Sequence, residues 1–153
     1  VAVALPKGER QKWLVEKLTE LGVAKLVPLV TERGVAEATA AAVARLRRGV
    51  IEASKQCGRD TLMEIGEPAS VAAVVAGRAA DAIGLVADPH GRPLDPAGWP
   101  ATTEVIGLVG PEGGFSPAEF ALAEAAGWPR ITLGHYVLRI ETAALALAAR
   151  LSN

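Results

Sequence analysis

Short runs of apolar residues alternate along the chain with segments in which the apolar residues have helical spacing. The runs at residues 1–5, 82–88 and 105–109 have the length and composition of buried strands. In residues 9–22 the apolar positions recur three and four apart, and the same spacing follows Thr39, a favourable helix N-cap. Strands that alternate with helices in this way predict an α/β fold with a mainly parallel sheet flanked by helices.

Glycines and prolines predict where several of these elements end. Gly22 and Gly58 stand where left-handed C-caps of helices are expected. Pro28 lies inside an apolar run and indicates an edge strand or an irregularity. Residues 89–103 contain four prolines and two glycines, so we expect one long irregular loop there. The remaining predicted elements are short or close to the C-terminus: strands at 25–31, 62–65 and 131–133, a short helix capped by Ser70, and a C-terminal helix at 143–151.

Composition narrows the class of protein. A chain of 153 residues fits one domain, spanning residues 1–153, with a core of ordinary size. A single cysteine, Cys57, excludes an internal disulfide, and two histidines without a ligand-spaced cluster argue against a metal site. Nothing resembles a signal peptide or a transmembrane run, so we expect a cytoplasmic protein that does not associate with membranes.

Charge is distributed unevenly between the two parts of the chain. Residues 1–60 carry 11 Lys and Arg against 7 Asp and Glu, whereas residues 61–153 carry 5 against 10. A basic front half is compatible with a surface that faces a polyanion, and equally with solvated helix faces.

The sequence "LVGPEGGFSPAEF" at residues 108–120 joins a strand to a helix through a glycine-rich turn. Ser116 stands as N-cap, Pro117 at the first helical position and Glu119 three residues after the cap, which is a capping-box arrangement. The start of a helix is therefore predicted at this point.

The glycines before that helix have two interpretations. Gly110, Gly113 and Gly114 either only permit the tight turn or also let a ligand approach the backbone. A loop at the carboxyl end of a parallel strand is where open α/β sheets bind ligands. Neither G-x-G-x-x-G nor G-K-[ST] is present, and Glu112 would repel a pyrophosphate. A neutral or cationic ligand fits better.

A second loop, in "TLGHYVLRIETAALAL", again places a glycine between a strand end and a helix. Arg139 and Glu141 lie close together before that helix, either as a carboxylate favoured by the helix dipole and paired with its neighbour, or as functional groups. His135 and Tyr136 are more typical of a surface loop than of a catalytic pair.

Four motifs occur in register along the chain: "EKLTELGVAKLVPLVTER" (16–33), "EASKQCGR" (52–59), "GPEGGFSPAE" (110–119) and "LGHYVLRIETA" (133–143). Together they resemble the RsmE-type methyltransferases, the 16S ribosomal RNA uridine-N3 methyltransferase family of the SPOUT superfamily. The resemblance implies a deep trefoil knot at the C-terminal end, S-adenosylmethionine as cofactor, a homodimer, and 16S ribosomal RNA or the small ribosomal subunit as substrate. The family's N-terminal RNA-binding β-barrel domain has no counterpart in these residues.

The resemblance also implies a set of site residues. Methyl transfer to N3 of a uridine needs a cation that stabilises negative charge on the uracil, for which Arg139 is the first candidate and Arg59, from either subunit, the second. Glu112 or Glu141 would accept the N3 proton. The implied cofactor-binding residues come from the strand at 82–88, from the two glycine loops and from the start of the last helix: Leu85, Gly110, Glu112, Gly113, Gly114, Leu133, Gly134, Leu138 and Thr142.

Other interpretations stay open on the sequence alone. Arg59, Arg45, Arg47 and Arg48 are also candidates for phosphate contacts, which position RNA without specifying it. The same fold could act on transfer RNA or on a ribose 2′-hydroxyl, or the chain could be a non-catalytic RNA-binding module. Within the last motif, the family more often has a basic residue where this chain has Tyr136, and a threonine where this chain has Ile140.

Overall fold

Strands and helices alternate along most of the chain, as the apolar pattern predicts. Within residues 1–97, 99–100 and 102–152, which the computed structural model describes, there are seven strands and five helices. The strands are β1 (Ala2–Val3), β2 (Lys25–Val30), β3 (Glu64–Ile65), β4 (Ala69–Ser70), β5 (Ile83–Pro93), β6 (Val105–Val109) and β7 (Arg130–Thr132). The helices are α1 (Arg10–Glu20), α2 (Ala40–Cys57), α3 (Val71–Ala76), α4 (Pro117–Ala125) and α5 (Ile140–Leu151).

The strands form one sheet in the order β3-β2-β1-β6-β5-β7, and β4 also pairs with β2. Every pairing among the described residues is parallel. The short strand β1 lies in the middle, where Ala2 is in register with Val27 on one side and Leu108 on the other. The predicted α/β class with a mainly parallel sheet is therefore confirmed, and the carboxyl ends of all strands lie along one edge.

Helices cover both faces of the sheet. On one face α1, α2 and α5 pack against the strands and against one another. On the other face lie α3 and α4, together with the buried indole of Trp128. Gly84 of β5 lies directly beneath that indole, since a Cβ at Gly84 would lie 2.1 Å from its ring atoms. Among the helices of the described residues, none is long and apolar enough to cross a membrane.

The predicted helix ends are confirmed where they depend on local chemistry. Thr39 caps α2, and its hydroxyl accepts a hydrogen bond from the amide of Ala42 at 3.2 Å. Gly58 ends that helix with φ +73°, a conformation that glycine adopts without steric cost. Ser70 caps α3 in the same way as Thr39 caps α2. The C-terminal helix begins at Ile140, three residues before its predicted start.

The prediction that Pro28 marks an edge strand is wrong, whereas the alternative of an irregularity is right. β2 has neighbours on both sides. On the side away from β1, β3 pairs only with Lys25 and Leu26, and β4 only from Leu29 onward. Pro28 lies in the interval between these two ladders, where its missing N–H leaves no ladder bond unmade.

The prediction of an irregular loop over residues 89–103 is wrong for its first part. β5 continues to Pro93, and Arg92 and Pro93 pair with Ile131 and Thr132 after a shift in register. Gly91 permits this approach, because a Cβ there would lie 2.6 Å from the backbone of Ile131. Residues 98 and 101 of the predicted loop lie outside the described residues. The strand predicted at 62–65 is shorter than expected, since β3 comprises Glu64–Ile65.

Candidate functional site

A cavity of about 420 Å³ opens at the ends of β6 and β7, beside residues 87–90 of β5. Its walls come from residues 87–90 and 109–115 and from part of the stretch 132–143, with Arg33 and Phe120 at the side. Sites for small molecules and cofactors typically have volumes of about 300 to 1,000 Å³, so this cavity is large enough for such a ligand. The carboxyl edge of a parallel sheet is also where such sites normally lie.

The first glycine loop has the conformation that its sequence predicts. Gly114 has φ +69°, and the capping box is complete: the Ser116 hydroxyl accepts from the Glu119 amide at 3.2 Å, and the Glu119 carboxylate accepts from the Ser116 amide at 2.7 Å. Gly110 packs closely against Phe115, because a Cβ there would lie 3.1 Å from the ring. Gly110, Gly113 and Gly114 all line the cavity, so the loop both turns the chain and presents bare backbone.

Arg33 holds this loop from the other side and was missed by the sequence reasoning. Its guanidinium donates hydrogen bonds to the carbonyl of Gly113 at 2.9 Å and to that of Phe115 at 3.4 Å. Beside it, the amide of Glu32 donates to the Glu119 carboxylate at 3.1 Å. The available signal was the position of Arg33 directly after an apolar run, at the carboxyl end of a strand.

The second loop supplies the facing wall. Leu133 is buried, Leu138 is half-buried, and both line the cavity together with Gly134. The hydroxyl of Thr132 donates to the carbonyl of Gly134 at 2.9 Å and fixes the start of the loop. Tyr136 and Val137 also line the cavity, although 81% and 79% of their surfaces are exposed.

Two carboxylates share one arginine at the rim of the cavity. Arg10 Nη2 lies 3.8 Å from Glu112 Oε1, and Arg10 Nη1 lies 3.5 Å from Glu141 Oε1. Both distances are longer than a good hydrogen bond, so the attraction between the guanidinium and the two carboxylates is mainly electrostatic. Glu112 lines the cavity and its side chain is 53% exposed. Glu141 is 6% exposed, and its Oε2 has no hydrogen-bond partner among the described residues.

Of the two interpretations of Arg139 and Glu141, the one that pairs them with each other is wrong. Arg139 is the N-cap of α5, with φ −66° and ψ 158°, and its side chain is exposed. Glu141 lies on the inner face of the first turn, where the start of α1 brings Arg10 close. Sequence reasoning missed Arg10 because it lies 131 residues from Glu141 and carries no local signal.

Besides Arg139 and Glu141, three of the residues implied by the resemblance do not line this cavity. Leu85 is 1% exposed and packs in the core beneath α1 and α5, whereas the cavity-lining residues of β5 begin at Ala87. Thr142 is exposed, on a different face of α5 from Ile140 and Ala143, which do line the cavity.

Arg59 is the third, and it is placed at the opposite edge of the sheet. Its Nη1 donates to the carbonyls of Thr19 at 3.1 Å and Val23 at 2.9 Å, at the end of α1 and just before β2 begins. The Thr19 carbonyl also accepts from the amide of Gly22 at 3.1 Å, and Val23 lies in the turn after the helix, so Arg59 links the end of α1 to the start of β2. Within one chain, Arg59 therefore closes a helix and does not reach the cavity.

A second ion cluster stiffens the wall formed by β5. Asp88 is 7% exposed; one carboxylate oxygen accepts from the His90 amide at 2.9 Å and the other lies 3.3 Å from Arg130 Nη1. Arg130 also pairs with Glu124 at 2.6 Å and lies 4.4 Å over the ring of Phe120. Hydrogen bonds to Glu124 and then to Asp88 raise the pKa of Arg130 further above its ordinary value. The guanidinium stays charged and fixes Asp88 and Phe120, which both line the cavity.

Comparison with known proteins agrees with the resemblance seen in the motifs. The family model described as an RNA methyltransferase domain matches residues 1–152. The ribosomal RNA small subunit methyltransferase E of Aquifex aeolicus is 34% identical over 142 residues, which are 92% of this chain and 61% of that protein.

Two solved structures have the same fold over nearly the whole chain. The ribosomal RNA small subunit methyltransferase E of Neisseria gonorrhoeae, bound to S-adenosylmethionine, is 30% identical with a TM-score of 0.90, and the match covers 98% of this chain and 63% of that one. A methyltransferase of Legionella pneumophila in complex with the same cofactor is 32% identical with a TM-score of 0.87, over 98% and 64%. This chain thus spans less than two thirds of the length of these relatives. It belongs to the RsmE-type RNA methyltransferase family.

Proposed function

We propose that this chain is the catalytic domain of an S-adenosylmethionine-dependent methyltransferase that methylates N3 of a uridine in 16S ribosomal RNA. The observation that carries the proposal is the cavity between two glycine loops, with apolar walls and a carboxylate at its rim. Membership of the family and the two cofactor-bound relatives support it.

The residues around the cavity fit this cofactor. Leu133, Leu138 and Val109 offer apolar surface to an adenine, and Gly113 and Gly134 offer backbone without side chains. When bound, S-adenosylmethionine supplies a methyl group on a positively charged sulfur. Glu112 provides a compensating negative charge at the rim, whereas it would have repelled a phosphate.

Proton removal from uridine N3 is assigned to Glu112 in preference to Glu141. Glu112 faces the cavity and is half exposed, whereas Glu141 is buried behind the first turn of α5 and does not line the cavity. Arg10 lies between the two and orients Glu112 from behind. A general base has to reach the proton that it accepts, so position decides between the two carboxylates.

Arg139 is assigned to the developing negative charge on the uracil oxygens. Arg139 does not line the cavity itself, but unlike Glu141 its side chain is exposed, at the start of α5 between the cavity residues Leu138 and Ile140. A guanidinium beside a uracil oxygen stabilises the deprotonated base and so lowers the pKa of N3. Arg59 is not assigned this role within one chain, because its donors are committed to the end of α1.

The assembly that we propose is a cytoplasmic homodimer acting on the small ribosomal subunit, with the C-terminal segment tied in the trefoil knot typical of the superfamily. Tyr136 and Val137 are large side chains exposed beside the cavity, and a second copy of the chain would cover them. Sedimentation at micromolar concentration is expected to give the mass of two chains; a single species of 15.8 kDa would contradict the dimer.

The direct test uses radiolabelled cofactor and small-subunit RNA that lacks the modification, followed by nucleoside mass spectrometry. We expect N3-methyluridine in 16S ribosomal RNA and no label in transfer RNA. Label on a ribose 2′-hydroxyl or in transfer RNA would instead establish the alternative substrates. Absence of cofactor binding by calorimetry would reject a methyltransferase altogether.

A further inference from the structure

A second cavity, of about 730 Å³, lies between the first two helices. We call it the α1–α2 groove; the charged side chains that line it are Glu9, Lys12, Glu16, Arg45, Arg48 and Glu52. The site described above uses none of them.

The charges in the α1–α2 groove do not cancel once the ion pairs are taken into account. Glu52 lies 3.3 Å from Lys55, and Glu16 lies 2.9 Å from Lys17, a cation that Glu20 shares at the same distance. Arg45, Arg48 and Lys12 have no carboxylate within ion-pair distance in the part of the chain that the structure describes. Three cations without an ion pair therefore face the groove, against Glu9 and against Glu16, whose lysine is shared with Glu20.

Arg45 and Arg48 have the spacing of neighbours on one helix face. They are three residues apart on α2 and exposed. Guanidinium groups match phosphate oxygens with two parallel hydrogen bonds, which makes arginine well suited to a nucleic-acid backbone. Arg47, between them, is committed elsewhere: its Nη2 lies 2.8 Å from Glu67 Oε1 and donates to the carbonyl of Ile65 at 3.2 Å.

The first turn of α1 separates the groove from the cofactor cavity. Glu9 and Gln11 line the α1–α2 groove, while Arg10 between them lies 3.8 Å from Glu112, which lines the cavity. One helical turn is about 5 Å long, so residues of the same turn line the groove and contact the rim of the cavity.

We propose that the α1–α2 groove binds the phosphate backbone of the RNA next to the target nucleotide, with Arg45 and Arg48 contacting phosphates. This inference rests on the proposed function, since it is the nearby methyl-transfer site that makes RNA the polyanion in question. Phosphate contacts of this kind fix the register of the strand and leave the choice of base to the cavity.

The test measures the affinity of the protein for a fluorescein-labelled 15-nucleotide oligouridylate by anisotropy, at several salt concentrations. Each of Arg45→Ala and Arg48→Ala is expected to weaken binding by about 4-fold at 0.15 M salt, and the double variant by roughly 15-fold. The slope of log affinity against log salt should fall by about 0.7 for each arginine on a single strand. Arg47→Ala is the matched control on the same helix, and its affinity should stay within about 2-fold of the unsubstituted protein, because its charge is already paired.

Cofactor affinity, measured by calorimetry on the same variants, separates this inference from the proposed function. If the double variant still binds the cofactor and its RNA affinity is unchanged, the proposed RNA-binding role of the groove is rejected and the proposed methyltransferase function is not affected. An equal loss for Arg47→Ala would also overturn it, because the effect would then reflect overall charge. Loss of cofactor binding in every protein, with the RNA effect retained, would reject the proposed function and support the groove. Displacement of the RNA by polyglutamate as effectively as by polyuridylate would favour an acidic protein partner and reject RNA.

Discussion

Arg10 joins carboxylates that come from two distant parts of the chain. It lies 3.5 Å from buried Glu141 and 3.8 Å from half-exposed Glu112, and neither contact is a hydrogen bond. A buried carboxylate that loses its cation is destabilising, because its desolvation is no longer compensated. Arg10 is therefore both a structural link and a positioning residue for Glu112.

Replacing Arg10 with Met should separate these two effects. We expect Arg10→Met to destabilise the fold by about 1–2 kcal/mol, less than for a fully buried pair because the arginine is partly exposed. The turnover number for methyl transfer should fall by about 10-fold or more, with cofactor affinity changed much less. Chemical denaturation and steady-state kinetics measure the two quantities.

Arg10→Lys and Glu141→Gln provide the controls for this substitution. The lysine variant should recover part of the turnover, since it restores the charge. The double variant Arg10→Met with Glu141→Gln should be less destabilised than the sum of the single variants by about 0.5–3 kcal/mol, as expected for coupled groups. Strict additivity would show that the pair does not interact.

Gly84 and Gly107 provide a second test at the level of single residues, in the packing of the core. A Cβ at Gly84 would lie 2.1 Å from the rigid indole of Trp128, and one at Gly107 would lie 2.2 Å from Cδ2 of Leu147. A leucine methyl can move by a change of rotamer, whereas the buried ring has no free space. Gly84→Ala should therefore cost about 3 kcal/mol and Gly107→Ala about 1 kcal/mol, measured by denaturant unfolding. Equal losses would show that the indole yields as easily as the leucine.

Helix α4 connects the glycine loop to the rest of the sheet through its first turn. The Glu119 carboxylate accepts from its own cap residue at 2.7 Å and from the amide of Glu32 at 3.1 Å, so one side chain ties α4 to the chain that follows β2. Arg33 makes the adjacent tie to Gly113. The conformation of the loop is thereby fixed before any ligand binds.

Glu119→Ala removes both acceptor bonds and is expected to destabilise the fold by about 1–3 kcal/mol, since it leaves amides at the helix start without partners. Ser116→Ala should cost about 1 kcal/mol, because it removes only the cap. Thermal unfolding measures these losses of stability. Glu119→Ala should also weaken the affinity for S-adenosylmethionine, which calorimetry measures. Leu122→Ala, at a partly exposed position on the same helix, is the control and should change neither quantity appreciably.

The sequence correctly predicts those helix ends and turns that are determined by residues close together in the chain. The caps at Thr39 and Ser116 and the left-handed turn at Gly58 follow from local hydrogen bonding and backbone sterics, and the structure has all three. The continuation of β5 to Pro93 depends on pairing with Ile131, which no local pattern reveals.

The same distinction applies to the candidate site. Gly110, Gly113, Leu133 and Leu138 lie in loops whose position at strand ends is visible in the sequence, and all line the cavity. Arg33 acts on a loop 80 residues away, so its contribution depends on the completed sheet. The resemblance located the loops but gave no account of these long-range contacts.

The whole molecule places both glycine loops at one edge of a parallel sheet, so ligand binding should stabilise the entire fold. With S-adenosylmethionine at 100 times its dissociation constant, the free energy of unfolding should rise by about 2.7 kcal/mol. For a chain of this size that corresponds to an increase of roughly 5–11 °C in melting temperature. A thermal-shift measurement at several cofactor concentrations tests this, and no shift at any concentration would contradict a preformed site.

The negative charge of Glu112 at the rim of the cavity allows a more specific test of cofactor binding. Glu112 is half exposed at the cavity, and the cofactor's sulfur is positively charged, whereas the sulfur of the product S-adenosylhomocysteine is neutral. Attraction between Glu112 and the sulfonium should therefore favour the cofactor alone. Glu112→Gln is expected to weaken S-adenosylmethionine binding by about 5-fold, or about 1 kcal/mol at a partly exposed site, and to leave the product's affinity nearly unchanged. An equal loss for both ligands would mean that Glu112 contacts their common parts, and the cavity would then lack the electrostatic preference for the methyl donor that its carboxylate implies.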